Sequence, residues 1–536
     1  MDDFGTLNWS ILVIYILGNL ALGMFLSRKI ESADDFFLGD RSIPWWAIGI
    51  SVVSTYVSAL TFLGGPAWAY EEGMSVIAIH LNYQLVILFV VTFFLPFFYN
   101  SGVASIYEYL EKRFGPTSRS VMAAVFLVSQ ALTSAAILYA TSLVLEFITG
   151  LKVEYCIVIV TIVALIYTSL GGIAAVIWTD VIQASILFVG AFIILFALIG
   201  EMPAPLGEVL SNLKDEGRTQ ALIPDLDFTR VTTVWSGLVA MTLFHITVYG
   251  ANQMMVQRTL AAKNIGDAKK SFLMMGFGAF FIYFVFIFLG ILFYSYYGGR
   301  EFENGNTIIL TFASDYGLPG LMGIIAAAVM AASMSSLDSA FNSMSTVSTI
   351  DFYQRYFRPD QDGRHYLLVS RIFTVVWALI IIVPALFFAG STGSVLETLS
   401  KVGSYFVGAK LSMFLLGFFS RHTTERGLLT GVAVGFVAVW LVATRTDIAW
   451  PWYCAIGGAV NISISLLASL LIDGPQSNHS PYTVRGQREV FASENRQERE
   501  GNWYVVPGSF DSVSLWLLAF FGLCIAFLWA FNAFIQ

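Results

Sequence analysis

The sequence predicts an all-α polytopic membrane protein, and three observations carry that prediction. Of the 536 residues, 57% are hydrophobic and only 12% charged, where a soluble chain of this length carries roughly a quarter charged. Apolar runs close to the ~20 residues that a bilayer demands recur along the whole length. Several of those runs are interrupted by clusters of Ser, Thr, His, Asn and Asp too dense for helices that face only lipid.

Fourteen spans follow, numbered 0 to 13: residues 7–26, 45–68, 76–99, 119–149, 153–170, 177–199, 232–255, 271–295, 319–348, 366–390, 398–419, 427–444, 450–472 and 513–534. They form one transmembrane domain over 1–536. It divides into an N-terminal helix at 7–26, ten spans over 45–419, and further helices at 427–534 with an inner loop at 473–512; hydropathy is compatible with the ten forming a pseudo-symmetric core but does not demonstrate it. Span 0 follows Met-Asp-Asp, acidic where a cleavable signal is basic, so it reads as a span. With both termini outside, the inner loops hold 19 Lys and Arg against six in the outer ones, which the positive-inside rule favours. Asp473 to Phe510 is polar and reads as a solvated inner connector. Its sequon at Asn478 then faces away from glycosylation. Cys156, Cys454 and Cys524 have no metal-ligand or disulfide spacing and read as packing residues.

The polar clusters carry the chemistry. Span 1 holds Ser51, Ser54, Thr55, Ser58 and Thr61, and Gly64-Gly65-Pro66 is expected to break it before its outer end. Carbonyls freed inside a bilayer are tolerated where they line a cavity or hold an ion; close helix packing uses the same small residues. On span 8, Ser335, Ser336 and Ser339 share one helix face with the carbonyl of Ala332. A small hard cation takes about six oxygens, and hydroxyls with carbonyls supply them without net charge. Asp338, on the neighbouring face, needs a partner at that depth. Asp180 and Gln183, three residues apart near the start of span 5, serve either an ion or a helix N-terminus.

Span 6 (His245, Thr247, Tyr249, Asn252, Gln253 around Gly250), span 2 (His80, Asn82, Tyr83, Gln84) and span 3 (Gln130, Thr133, Ser134) suggest a shared polar pocket. Lys401 and Lys410 on span 10 either pair with Glu397 or snorkel to an interface. Spans 1, 2, 3, 6 and 7 as bounded above hold no Arg or Lys in their interiors. No nucleophile–base pair, metal-ligand cluster or phosphate-cradling loop is present, so no enzyme activity and no nucleic-acid partner are expected.

Tyr167–Gln183 (Y-T-S-L-G-G-I-A-A-V-I-W-T-D-V-I-Q), A-A-S-M-S-S-L-D-S-A-F-N-S of span 8 and Asn252–Lys263 (N-Q-M-M-V-Q-R-T-L-A-A-K) together resemble signatures of the sodium/solute symporter family. That family includes sodium–glucose, sodium–proline, sodium–iodide and sodium–sialic acid carriers. The resemblance spans essentially the whole chain and implies a LeuT-like 5+5 inverted-repeat core, spans 1–5 and 6–10, with spans 1 and 6 broken.

It also implies a main Na+ site from the carbonyls of Ser54, Val57 and Ala332 and the hydroxyls of Ser335 and Ser336. A second cation site would use Asp180, Ser335, Asp338 and Ser339. Two-sodium sialic-acid carriers look to have Ser in place of Asp338, so the extra carboxylate either strengthens that site or makes it a proton site. Solute positions carried over are Ser58, Thr61, His80, Thr133, His245 and Ser400, with Tyr249 near the gate. Thr133 stands where a sialic-acid carrier would show an arginine, which favours a neutral hydroxylated solute.

The expectation is therefore sodium-coupled symport of a small polar organic solute by alternating access, a sugar or polyol favoured, through the plasma (inner) membrane. A small carboxylate such as a sialic or monocarboxylic acid is the alternative. A solute sensor is the alternative from another class.

Overall fold

The computed structural model describes residues 4–27, 42–101, 105–168, 173–389, 394–475 and 480–534. Ser169–Gly172 of the first signature and the sequon at Asn478 lie outside them. Eleven described helical runs are long and apolar enough to cross a membrane, with two shorter apolar helices at Val153–Ile166 and Ser236–Gly250. The number differs from fourteen partly because one run, Leu60–Asn100, contains both the outer half of span 1 and span 2.

Spans 1 and 6 are each two half-helices. Span 1 runs as Trp45–Tyr56, leaves helical geometry at Val57 (φ −83°, ψ 79°), and resumes through a π-turn at Leu60–Gly64 into Gly65–Glu72. The break thus falls at Val57–Ala59, earlier than the Gly-Gly-Pro expected to make it. Pro66 sits in the first turn of the second half, where its missing N–H is not needed. Gly64 serves packing instead: a Cβ there would lie 2.8 Å from the Leu396 nitrogen on span 10. Span 6 runs as Ser236–Ala240 and Met241–Gly250, breaks at Ala251–Asn252, and restarts as Gln253–Leu260 with the Asn252 side chain capping the Met254 N–H. A 12-residue half-helix covers only ~18 Å, short of the ~30 Å hydrocarbon core. Both halves therefore have to be held by neighbours.

Span 7 (Ile265–Tyr296) supplies much of that support, lying along both halves of span 1 and along span 2. Gly290 permits the approach, since a Cβ there would sit 2.5 Å from the Pro66 carbonyl oxygen. Span 8 (Leu321–Val347) is buried along its length against spans 0, 3 and 5. Spans 11 and 12 pack chiefly on each other and on span 10, and span 13 on spans 2 and 7.

The polar stretch after span 12 is not a free connector. It forms a helix, Val484–Ser493, and a two-stranded hairpin pairing Arg499–Glu500 with Trp503–Tyr504. The segment is strapped to the core: Lys269 of span 7 pairs with Asp511 at 2.6 Å, Asn100 donates to the Val505 carbonyl, and Trp503 covers Gly266. Polar composition hid this because each anchor is a single long-range contact. Near it, Glu111 of the short helix Tyr107–Arg113 binds Arg355 and Arg119, and Arg119 also pairs with buried Asp351 at 2.6 Å.

Candidate functional site

Three stretches meet at the break in span 1. Ser335 and Ser336 are both buried. The Ser335 and Ser54 hydroxyls lie 3.0 Å apart, and the Ser336 hydroxyl donates to the Thr55 carbonyl at 2.9 Å and to the Ala332 carbonyl at 3.3 Å. Among the described residues no backbone amide bonds the carbonyls of Ser54 or Val57, because the chain leaves the helical ladder there. Ser54, Ser335, Ser336 and the Ala332 carbonyl are thus brought together where spans 1 and 8 face each other, and Val57 lies three residues beyond Ser54 at the break, its carbonyl, like that of Ser54, lacking an amide partner. Hard, uncharged oxygens of this kind suit an alkali cation.

The carboxylate beside them is deeper than the sequence implied. Asp180 lies at least two turns inside the described helix of span 5, Ile173–Gly200, past the reach of an N-terminal dipole. It is fully buried and accepts from Ser335 at 2.5 Å and from Ser51. Its counter-ion is Arg258, whose guanidinium lies 3.4 Å away. Arg258 falls in the inner loop after span 6 by the sequence-derived bounds and is one of the 19 inner cations counted there, but it sits on the second half of span 6 with no exposed surface. Its Nε donates to Ser51 at 2.8 Å, Nη1 to the Met254 carbonyl, and Nη2 to Ser339.

Asp180, Ser335 and Ser339 therefore come together as expected of a second cation site, with a guanidinium already among them. Asp338 turns towards span 4, accepting from Thr168 at 2.5 Å. The signal for Arg258 was present in N-Q-M-M-V-Q-R: a lone arginine three residues beyond the predicted end of span 6. The positive-inside count absorbed it.

A narrow cavity of about 50 Å³ opens beside the same break. Ser58, His80, Thr133, His245 and Ser400 line it, together with Tyr56, Gln130 and Tyr283. Thr61 and Tyr249 are buried but are not in its walls; Tyr249 packs its ring on Tyr56 and Tyr83. Tyr283, stacked on His80 with ring centroids 3.6 Å apart, escaped notice in an aromatic run of span 7 with no polar spacing. The Asn82 amide nitrogen donates to the carbonyls of Ile79 and Gly237 at 3.0 and 2.9 Å, so its oxygen faces His245 Nδ1 at 2.7 Å. That oxygen can only accept, so Nδ1 carries the proton and Nε2 is left as an acceptor. The walls contain no Arg, Lys, Asp or Glu.

Residues 36–435 match the sodium:solute symporter family model, three-quarters of the chain. The chain belongs to that family. Among relatives, the sodium/glucose cotransporter of Vibrio parahaemolyticus is 29% identical over 453 residues, covering 79% of this chain and 82% of that one. Sodium-coupled monocarboxylate transporter 2 of Danio rerio is 28% identical over 435 residues, covering 78% and 69%. A solved Na+-coupled sialic acid symporter, substrate-bound and outward-open with a novel Na+ site, superposes with a TM-score of 0.81. It is 26% identical, covering 89% of this chain and all of that one. This symporter is accordingly a multi-pass, sodium-coupled solute carrier of LeuT-like fold and no enzyme. Its relatives do not agree on cargo.

Proposed function

We propose that this symporter couples one Na+, bound by Ser54, Val57, Ala332, Ser335 and Ser336, to the inward movement of a small hydroxylated organic solute. The observations that support the ion assignment are the two amide-free carbonyls at the break and, beside them, the contacts of the Ser335 hydroxyl with the Ser54 hydroxyl and of the Ser336 hydroxyl with the Thr55 carbonyl. The Arg258 guanidinium fills the role a second Na+ would have beside Asp180. Ion binding fixes the broken part of span 1, and Ser58 at that same break lines the solute cavity, so each ligand raises the affinity of the other by one common factor.

The solute is met by Ser58, His80, Thr133, His245 and Ser400. Hydroxyls and neutral imidazoles suit a sugar or polyol, His245 Nε2 accepting from a solute hydroxyl. The present cavity is far below the roughly 300 Å³ of an ordinary small-molecule site, so its walls part to admit one, as alternating access requires. A carboxylate solute is the second reading, favoured by Lys410. The Lys and Arg bias supports an orientation with both termini outside in a plasma (inner) membrane; with Arg119, Arg258 and Lys269, which are buried on span helices, removed, it still stands at 16 against six.

The driving force suffices. One Na+ crossing about 100 mV supplies roughly 2.3 kcal/mol and a tenfold gradient adds about 1.4, enough for several-hundred-fold accumulation of a neutral solute. The test is uptake into proteoliposomes with and without a Na+ gradient, with wild type and Ser336→Ala. The variant should need about tenfold more Na+ for half-maximal uptake at equal protein level. Unchanged sodium dependence would refute the ion assignment, and solute movement indifferent to Na+ in wild type would refute symport.

A further inference from the structure

Four cations are buried in the spans among the described residues. Arg119, Arg258 and Lys269 pair with Asp351, Asp180 and Asp511. Lys410, 6% exposed on span 10, pairs with no carboxylate. Its ammonium donates to the Ser129 hydroxyl, which in turn donates to the Phe126 carbonyl at 3.0 Å, and it lies 5.8 Å from the Phe126 ring centre. Among the described residues its ammonium, with three N–H donors, has this one hydroxyl as acceptor. Glu397 is not its partner: it is thirteen residues away along the same helix, ~20 Å, and lies by Lys401 instead. Snorkelling does not relieve it either, since the inner end of span 10 at Phe419 is ~14 Å further on.

The position is informative. Gln130 and Thr133 of span 3 line the solute cavity, and Ser129 is the residue before the first and one turn before the second. On span 10, Leu399 lines the cavity, and Lys410 lies three turns on along the same face. The ammonium therefore sits between spans 3 and 10 beside the residue that precedes Gln130, about one turn of span 3 from Thr133 towards the predicted inner side. An ion held dry without a counter-charge costs several kcal/mol, and inside a membrane such a residue marks a ligand or ion path.

We propose that Lys410, with Ser129, binds the carboxylate of the solute, so that the cargo is a hydroxylated organic acid: its hydroxyls meet Ser58, Thr133, His245 and Ser400, and its carboxylate meets Lys410 as the cavity widens inward. This rests on the symport reading and replaces its neutral sugar with a sugar-like acid.

The test uses the full chain, purified in detergent and in proteoliposomes, with D-gluconate, D-glucuronate, D-glucuronate methyl ester and D-glucose, each in Na+ and in K+. In Na+, gluconate or glucuronate should raise the thermal midpoint and be taken up. The methyl ester, which keeps the hydroxyls and loses the charge, should bind at least tenfold more weakly. Lys410→Met should lower acid uptake at least tenfold while keeping the Na+-induced thermal shift, and Lys410→Arg should restore part of the uptake. The inference is overturned if wild type binds the ester as well as the acid, responds to glucose but to neither acid, or transports acids undiminished as Lys410→Met. Those results leave symport standing. A wild type that responds to no solute and not to Na+ removes symport and this inference together.

Discussion

Arg258 and Lys410 sit in equally dry surroundings and keep very different company. Arg258 touches a carboxylate, two hydroxyls and a carbonyl, so nearly every donor of its fork has an acceptor. Lys410 has one hydroxyl. A buried charge whose partners are all supplied by the chain belongs to the framework, whereas one left short of partners is held ready for something that arrives. The two positions should therefore fail in opposite ways when their charge is removed.

The largest effect is expected at Arg258. Arg258→Met leaves Asp180 dry and unpaired, a loss of about 3–5 kcal/mol, and folded protein should be lost on detergent extraction. Adding Asp180→Asn should recover much of that loss. Lys410→Met removes an unpaired charge, so its unfolding midpoint should stay level or rise while acid uptake falls. Thermal unfolding of the four proteins checks this. Equal destabilisation by both single variants would erase the distinction between framework and ligand charge.

Charge movement sharpens the same contrast. If the guanidinium serves as the resident cation beside Asp180, sodium activation of uptake should have a Hill slope near one, unchanged in Asp338→Asn. One Na+ travelling with a carboxylate carries no net charge. Uptake of an acid should then ignore an imposed potential, whereas one Na+ with a neutral sugar gains about 2.3 kcal/mol per 100 mV, roughly fifty-fold in accumulation. Accumulation ratios measured at two clamped potentials in proteoliposomes distinguish them. A slope near two would put a second Na+ beside Arg258.

The reason sequence located one charge and lost the other's meaning is geometric. Ser335 and Ser336 were legible because a helix fixes which residues share a face, so the chemistry of span 8 follows from spacing alone. That spans 1 and 6 are interrupted was legible from their polar residues and glycines, though in span 1 the helix breaks at Val57–Ala59, which holds one hydroxyl and no glycine, and not at Gly-Gly-Pro. Arg258 pairs with a residue 78 positions away, Lys410 with one 281 positions away, and Tyr283 joins His80 across 203. No local pattern encodes those separations. The strap at Val484–Asp511 was lost for a related reason, since a polar composition predicts solvation unless single distant anchors such as Lys269 are known.

The smallest effect tests the comparison on charge that water reaches. Glu111, with its side chain 30% exposed, binds Arg355 and Arg119 where the inner ends of spans 3 and 8 meet the short helix after span 2. The Arg355 hydrogen bond, with help from Arg119, holds its carboxyl down to about 2. A carboxyl whose folded value lies below the unfolded ~4.3 stabilises fully above that value and loses its contribution as the pH falls towards 2. The difference in unfolding midpoint between wild type and Glu111→Gln should therefore be small, because solvent screens the pair, constant from pH 8 to about 5, and shrinking between about pH 4 and 2. A midpoint difference that does not narrow with acid would mean that the two arginines do not hold Glu111 in its ionised form, and that the inner ends are tied by the buried Arg119–Asp351 pair alone.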